Sequence, residues 1–531
     1  MEDQVMSFSL KQNVATLALC GALGIVTSPL HAQTTDIGTL PAGTVCGTRG
    51  VNNAYTIIGE CISSHASGGH RTAIVERISD PVPAALQALV SGKRCNVGSI
   101  GDNGVISGLC ENSSKTKKAV RWTLSNDSYN TPPVELLPFQ GLLGIGADVD
   151  AVPGPVNAQG VIAGISINSA GHRQAVYWPA GSTTPTQLPN PPAALLVGAV
   201  EGCAPSAINN ASTPTIVGSC AVDNAGVTTN VAVRWTASGG AYTATPLGDL
   251  GEGYCTAVAD NLNGDAVGAC ENSSGDPQAV LWAAGSTSAV TVLVADESLA
   301  VGINDSGVVT GDFLTSGGYE HVFVGNPRTA PVTDIGVLTG GHNCQATGID
   351  DNGDVGLNCD NATSRSQASF FKATTGTLVQ VASTTSTSSV SAISHNGALA
   401  GGYITSDQHP HGFRDNVPVP VTPETVLAPV AASAQKLGVQ ANASIGYVRG
   451  LGLSASSAEA GAGYSSASGI AAESGGLASS SAEGVGYGAG DGLYSNVGYG
   501  SSSGLATSSA YSAYGASSSS YYYGGGASAY P

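Results

Sequence analysis

Charge is what this sequence has least of. Asp, Glu, Lys and Arg together make up 10% of its 531 residues, against roughly 25% in an ordinary soluble domain. Only 18 residues are Lys or Arg, and the formal net charge is −19. Nucleic acid and anionic lipid surfaces would be repelled by such a chain, so neither is expected as a partner. Ser, Thr, Asn and Gly must supply much of the polar surface.

Long apolar runs are also missing. Val14 to Val26 is too short to span a bilayer comfortably and follows the basic Lys11. Residues 1–32 therefore read as a secretory signal, cleaved after Leu30-His31-Ala32 to leave a chain starting at Gln33. Glu2-Asp3 suits a signal poorly, which makes Met6 an alternative start. Cys20 lies inside the apolar run, with Leu19 before it and Gly21-Ala22-Leu23-Gly24 after it, and so reads as part of that run rather than as a lipid-attachment site. No other stretch is apolar enough to cross a membrane. The mature protein is expected to be secreted, at the cell surface or outside the cell, with the periplasm as the alternative.

Catalytic signatures are absent in turn. Gly500-Ser501-Ser502-Ser503-Gly504 has the spacing of a nucleophile elbow, but it lies in a Ser/Gly tract with no strand before it and no helix after it. Asp350, Asn352 and Asp354 alternate like a calcium loop, yet Gly353 comes one place early and no acid closes the loop. His409-Pro410-His411 could bind a metal but reads as a repeat position occupied by His. Glu60, Glu111 and Glu271 follow strand ends without sharing a face. No catalytic, cofactor-binding or metal-binding residue is expected.

What the sequence does have is a repeat. Cys95 to Trp122 shows its parts: an alternating run to Ile100, the turn Gly101-Asp102-Asn103-Gly104, a second run to Cys110, and Ala119-Val120-Arg121-Trp122. Period-2 alternation around such a turn predicts a β-hairpin. Eight versions follow one another at about 50 residues, with turns that include Asn157 to Gly160, Asn261 to Gly264, Asn304 to Gly307 and Asp350 to Gly353, and a longer one from Asn209 to Pro214. Such a period with several strands per unit predicts propeller blades.

The cysteines agree. Beyond Cys20 they fall into five pairs: Cys46 with Cys61, Cys95 with Cys110, Cys203 with Cys220, Cys255 with Cys270, and Cys344 with Cys359. Each pair is centred on a turn. Residues symmetric about a hairpin turn face each other. The 203/220 pair is spaced wider by two residues, matching its longer turn. Five cross-strand disulfides are expected. Zinc is excluded, since there is no Cys-x-x-Cys and no His at ligand spacing. The places without cysteine hold Ala151/Ser166, Ser298/Phe313 and Ser388/Tyr403.

Trp122, Trp178, Trp235 and Trp282 each follow an alanine by three residues, as Phe371 follows Ala368, and are expected to pack between blades. A further run precedes the hairpins: Asp36 to Leu40, Glu135 to Leu137, Pro246 to Leu250 and Asp334 to Leu338. It supplies a fourth strand per unit.

Asp334-Ile-Gly-Val-Leu-Thr-Gly-Gly341, then Ile349-Asp-Asp-Asn-Gly353 and Gly356, resembles the HAF-repeat family of extracellular bacterial proteins. That family joins an Asp-Leu-Gly-Thr-Leu-Gly-Gly-like strand to an Ile-Asn-x-x-Gly hairpin and a His-Ala-Phe strand. Ile303-Asn304, His321-Val322-Phe323 and His411-Gly412-Phe413 are similar, over residues 36 to about 414, while Lys118-Ala119-Val120 and Gln278-Ala279-Val280 depart from the triplet. The resemblance implies an extracellular repeat architecture and brings no activity with it.

The expected fold is all-β: an eight-bladed propeller over residues 33–421, with seven blades as the alternative and Asp36 to Leu40 completing the last blade. Residues 422–437 form a linker. Residues 438–531, rich in Gly, Ser, Ala and Tyr, are expected to be a disordered low-complexity tail, or alternatively a weakly self-associating one. The expected function is a non-enzymatic binding or adhesion scaffold for an unknown extracellular ligand, glycan or protein. The ligand is expected at loops including the 203–220 turn, Glu111 to Lys118 and Cys61 to Arg71. The alternative is a secreted glycan lyase or hydrolase whose site is assembled from several blades.

Overall fold

The computed structural model describes residues 34–415, apart from 42, 64–70, 126, 142–147, 197, 252, 288–289 and 382–386, together with 478–483 and 506–511. The leader 1–32, the linker, Gly500–Gly504 and the rest of the tail lie outside the described residues.

The repeats fold as an eight-bladed propeller of four-stranded antiparallel sheets. Blades 1 to 7 cover 43–85, 95–135, 150–187, 199–246, 255–292, 298–334 and 344–380. In each, the four strands follow chain order from the inside outward. The first strands pack side by side around the ring, and that of blade 8 (Ser388–Ile393) meets that of blade 1 (Gly43–Val51). Every first strand carries a β-bulge ahead of its turn, which bends and twists it locally.

The turn motif is explained by two sets of hydrogen bonds. In blade 5, Asn261 Oδ1 accepts the N–H groups of Asn263 and Asp265 in its own turn, while Nδ2 donates to Asn304 O of blade 6 at 3.1 Å. Asn304 donates onward to Asp350 O, and Asn157 and Asn209 donate likewise to the next blade. One side chain thus shapes its own hairpin and ties it to its neighbour. The fourth turn position is left-handed, with φ +81° at Gly264 and +78° at Gly307, which glycine adopts without strain. Tyr55 takes this conformation in blade 1.

All five expected disulfides form, with Cα–Cα separations of 4.0–4.1 Å: Cys46 to Cys61, Cys95 to Cys110, Cys203 to Cys220, Cys255 to Cys270, and Cys344 to Cys359. In blades 2, 5 and 7 the bridge starts at the first residue of the first strand, and in blades 1 and 4, whose strands are longer, it lies in mid-strand. In blade 7, Cys359 stands opposite Cys344 on one side and Gln367 of the third strand on the other, and is fully buried. The cysteine-free places, Ala151/Ser166, Ser298/Phe313 and Ser388/Tyr403, occupy the same register. All four tryptophans are buried between blades. Trp235 Nε1 donates to Pro189 O of blade 3, and Trp282 Nε1 to Gly248 O of blade 4. Arg234 reaches the other way, bonding Trp282 O and Ala283 O of blade 5.

Ring closure uses the chain's N-terminal side. Thr34–Asp36 pairs with the third strand of blade 8, Pro410–Asp415, and completes that sheet. The strand stops at Asp36, the first residue of the expected Asp36 to Leu40 segment; Ile37 continues as a buried plug, its N–H bonded to Gly412 O. The same holds elsewhere: Leu136, Leu247 and Ile335 follow the outer strands and donate to Ala119, Ala232 and Val322 carbonyls. In the tail, Ala478–Glu483 and Ala506–Tyr511 pair as parallel strands.

Candidate functional site

The meander separates loops that the sequence reading grouped together. A first-to-second turn, such as Asn209 to Pro214, lies at one end of the ring. Second-to-third loops, including Glu111 to Lys118 and the described part of Cys61 to Arg71, lie at the other. These three segments cannot contribute to one ligand face. The reason is geometric, since successive connections in an antiparallel meander alternate ends.

Blade 4 is the irregular one. Its first three strands run 10, 9 and 12 residues, where six is usual in the ring. Its longer outer strand, Ala241–Pro246, and the Gly239-Gly240 turn before it stand beside the outer strand of blade 3, Thr186–Gln187. Between them is a cleft of about 380 Å³, lined by Tyr177, Thr186, Gln187, Pro189, Asn190 and Tyr242. The two tyrosine rings meet edge to face, 5.1 Å between centroids. Tyr242 Oη donates to Pro214 O, so the long Asn209–Pro214 turn fixes the ring that walls the cleft. Burial pushes the Tyr242 phenol up, with Tyr177 and Asp260 adding to the effect. Gln187 Nε2 donates to Gln174 Oε1 at 2.7 Å, which orients the amide. Among the described lining residues there is no carboxylate, imidazole, thiol or cationic group. Neutral amides and hydroxyls beside aromatic faces can orient a polar, uncharged ligand.

Two carboxylates converge elsewhere. Asp312 and Glu320 of blade 6 are pushed well up, Glu320 by burial and then by Asp312, and Asp312 by burial. Such a pair shares a proton, as acid–base catalysis can require. Here Asp312 Oδ1 accepts Ala346 N–H at 2.7 Å and Glu320 Oε2 accepts Gln345 Nε2 at 2.8 Å. Both acceptors hold the first strand of blade 7, so the pair braces neighbouring blades.

Asp260 belongs to no sequence motif. It stands where blades 6 and 7 have Ile303 and Ile349, is fully buried, and neither carboxylate oxygen has a hydrogen-bond partner among the described residues. Burial raises its pKa well above the usual range against the pull of Arg234. The break in the apolar pattern was the only signal available.

The remaining sequence candidates have structural duties. The ten cysteines from Cys46 to Cys359 are all buried and all bridged, so none offers a free thiol to a ligand or a metal. Asp350 Oδ1 accepts Asn352 and Asp354 N–H, and Asp354 pairs with Lys372, so this turn uses its carboxylates itself. No cluster of three metal-ligating side chains occurs among the described residues. His411 Nδ1 meets Asp36 Oδ2, and His321 meets Asp334 in the same cross-strand way. Gln174–Gln187 and Gln367–Gln380 replace these pairs in blades 3 and 7. His321 and His411 are thus versions of a polar clasp between third and fourth strands, and Lys118 facing Glu135 is another.

No family model matches this chain, and no curated protein matches it. Solved structures with a similar fold include the β-propeller domain of the Trilobed protease from Pyrococcus furiosus, at 10% identity and TM-score 0.41, covering 64% of this chain and 96% of that one. Pyrococcus horikoshii acylaminoacyl peptidase is 10% identical at TM-score 0.40, covering 68% of this chain and 57% of that one. A Mycobacterium tuberculosis puromycin-hydrolyzing peptidase is 12% identical at TM-score 0.40, covering 70% and 60%. The chain therefore spans less than two thirds of these two whole peptidases. Likeness at this level concerns fold alone and says nothing of chemistry.

Proposed function

We propose that the protein is a secreted, non-enzymatic binding scaffold of the extracellular repeat type, taking a neutral polar ligand, glycan or protein, at the cleft between blades 3 and 4. The observation that carries this reading is the cleft's lining: two edge-to-face tyrosines with Gln187, Asn190 and Thr186 and no charged group. Five disulfides suit an oxidising compartment, which supports placement outside the cytoplasm. The HAF-repeat resemblance agrees with that placement.

The test is a binding screen of the full chain on glycan and surface-protein arrays, with Gln187→Ala and Asn190→Ala as variants. Both side chains are exposed, and a cooperative melt is the control that each variant keeps the fold. Expected is a ligand whose affinity falls about tenfold in either variant, the cost of one lost neutral hydrogen bond. A ligand bound equally by both variants removes the cleft from the proposal. The rival reading, a secreted glycan lyase or hydrolase, has the Asp312–Glu320 pair in its favour. Turnover of a polysaccharide or ester abolished by Glu320→Gln, in a variant that still melts cooperatively, would replace the scaffold reading.

A further inference from the structure

The tail contains a second, shorter repeat. Gly452-Leu-Ser-Ala-Ser-Ser-Ala-Glu459, Gly476-Leu-Ala-Ser-Ser-Ser-Ala-Glu483 and Gly504-Leu-Ala-Thr-Ser-Ser-Ala-Tyr511 share the pattern Gly-Leu-x-x-Ser-Ser-Ala. The two tail strands, Ala478–Glu483 and Ala506–Tyr511, fall within the second and third copies. They run parallel, and their register sets like over like: Ala478 beside Ala506, Ser480 beside Ser508, Ala482 beside Ala510.

Three features point beyond the single chain. A parallel pair within one chain needs a long crossover, here 484–505, whereas copies from different chains need none. In-register stacking of one short segment on itself is how homotypic strand assemblies form, and low charge with no proline favours it. Among the described residues the pair is two-stranded, so each strand keeps an edge open to a further strand.

We propose that this motif is a homotypic strand-pairing element that recruits a second copy of this chain, parallel and in register. The third copy is the strongest, because it ends in Tyr511. The first two end in Glu459 and Glu483, and self-stacking sets like charges side by side, which weakens a ladder. This surface is separate from the cleft between blades 3 and 4 and does not depend on that reading.

The experiment uses the full mature chain in sedimentation velocity over a hundredfold concentration range. The variants are Ser480→Pro with Ser508→Pro, and Gly488→Pro outside the motif as the control. Proline cannot donate to a ladder. Expected is concentration-dependent association in the parent and in Gly488→Pro, and its loss in the double variant with an unchanged melt of the ring. Thr507→Cys should also form a chain-to-chain disulfide under mild oxidation, as in-register strands require. A parent that stays monomeric throughout overturns the proposal, as does equal association of the double variant. Association without the Thr507→Cys bridge overturns the register.

Discussion

Asp36 Oδ2 lies 2.9 Å from His411 Nδ1, joining the first strand of the ring to its last blade across almost the whole described chain. Tyr403 donates to the same oxygen at 2.8 Å, and Gly38 N–H to the other. Burial opposes ionisation of Asp36, but these bonds outweigh it and hold the carboxyl below its usual value. The clasp and the Thr34–Asp36 ladder help hold blade 8 closed beside blade 1, together with the bonds from Thr48 to Gly401 O and from Arg414 to Glu76.

Deleting Thr35 to Leu40 should therefore lower the melting temperature sharply, since it removes the ladder, the clasp and the Ile37 plug together. Asp36→Asn should cost less, with the full cost present above the unfolded carboxyl value near 4 and fading as pH falls through the lower native one. An Asp whose folded pKa is depressed contributes stability above its unfolded pKa and loses it as pH falls through the folded value. Differential scanning calorimetry reads both, and an unchanged melt in the deletion would count against closure by this segment.

Non-reducing peptide mapping should find the five intra-blade pairs, from Cys46–Cys61 to Cys344–Cys359, and no linkage between blades. Each closes a loop of about 15 residues, worth roughly 3 kcal/mol in the loop-entropy model. Blade 6 accepts Ser298/Phe313 at the same register. Replacing Cys255 and Cys270 by Ser and Phe should accordingly leave a folded ring with a lower midpoint in urea. Loss of folding in that variant would show that the bridge sets the hairpin itself.

Glu76 occupies the third-strand place held by Trp235 and Trp282 in blades 4 and 5 and meets Arg414 across the seam at 2.7 Å. Burial pushes its carboxyl up to about 7 despite Arg414, and Asp80 adds to the rise. An acid whose folded pKa is raised binds its proton more tightly in the native state. Stability therefore falls as pH rises from the unfolded value near 4.5 to about 7, and the raised Asp312–Glu320 pair acts in the same direction. The melting temperature should be higher at pH 5 than at pH 8, and Glu76→Gln should shrink that difference. A melt that rises with pH through this window would refute the assignment.

Most of the ring was legible because its determinants are local and repeated. Cys203 and Cys220 keep opposition across a longer turn, so their spacing alone gave the register. What the sequence hid depends on neighbouring blades. Asn261 reads as a turn residue, while its bond to Asn304 O exists only once blade 6 stands beside blade 5. Asp260, and the cleft of Tyr177 and Tyr242, are likewise products of inter-blade packing. His411 reads as a repeat position in the sequence, and its partner Asp36, like the partners of Gln174 and Gln367, appears only once the outer strand stands beside it. Asn209–Pro214 and Glu111–Lys118 lie at opposite ends of the ring because successive connections of a meander alternate, which the loops' own composition does not display.

The asparagine belt has a break that can be repaired. Asp350 caps its own turn as the asparagines do, through Oδ1, but it has no amide to donate to the carbonyl of Ser394 in blade 8. Burial raises its carboxyl to about 6, and the neighbouring Asp354 adds to the rise, so ionisation there costs stability. Asp350→Asn keeps the acceptor, supplies the missing donor and removes the charge, at the expense of the bond from Asn352 Nδ2 to Oδ2. Near pH 4 the native acid is already neutral, and the variant should gain little. Above pH 6 the charge penalty is fully present in the parent and absent in the variant, so the gain should grow to about 2 kcal/mol or more, roughly 1.4 for each pKa unit removed. Urea unfolding of both proteins at pH 4.5 and pH 7.5 checks this. A gain independent of pH would assign the effect to the new hydrogen bond alone, and a loss at pH 7.5 would show that the bond to Asn352 outweighs both.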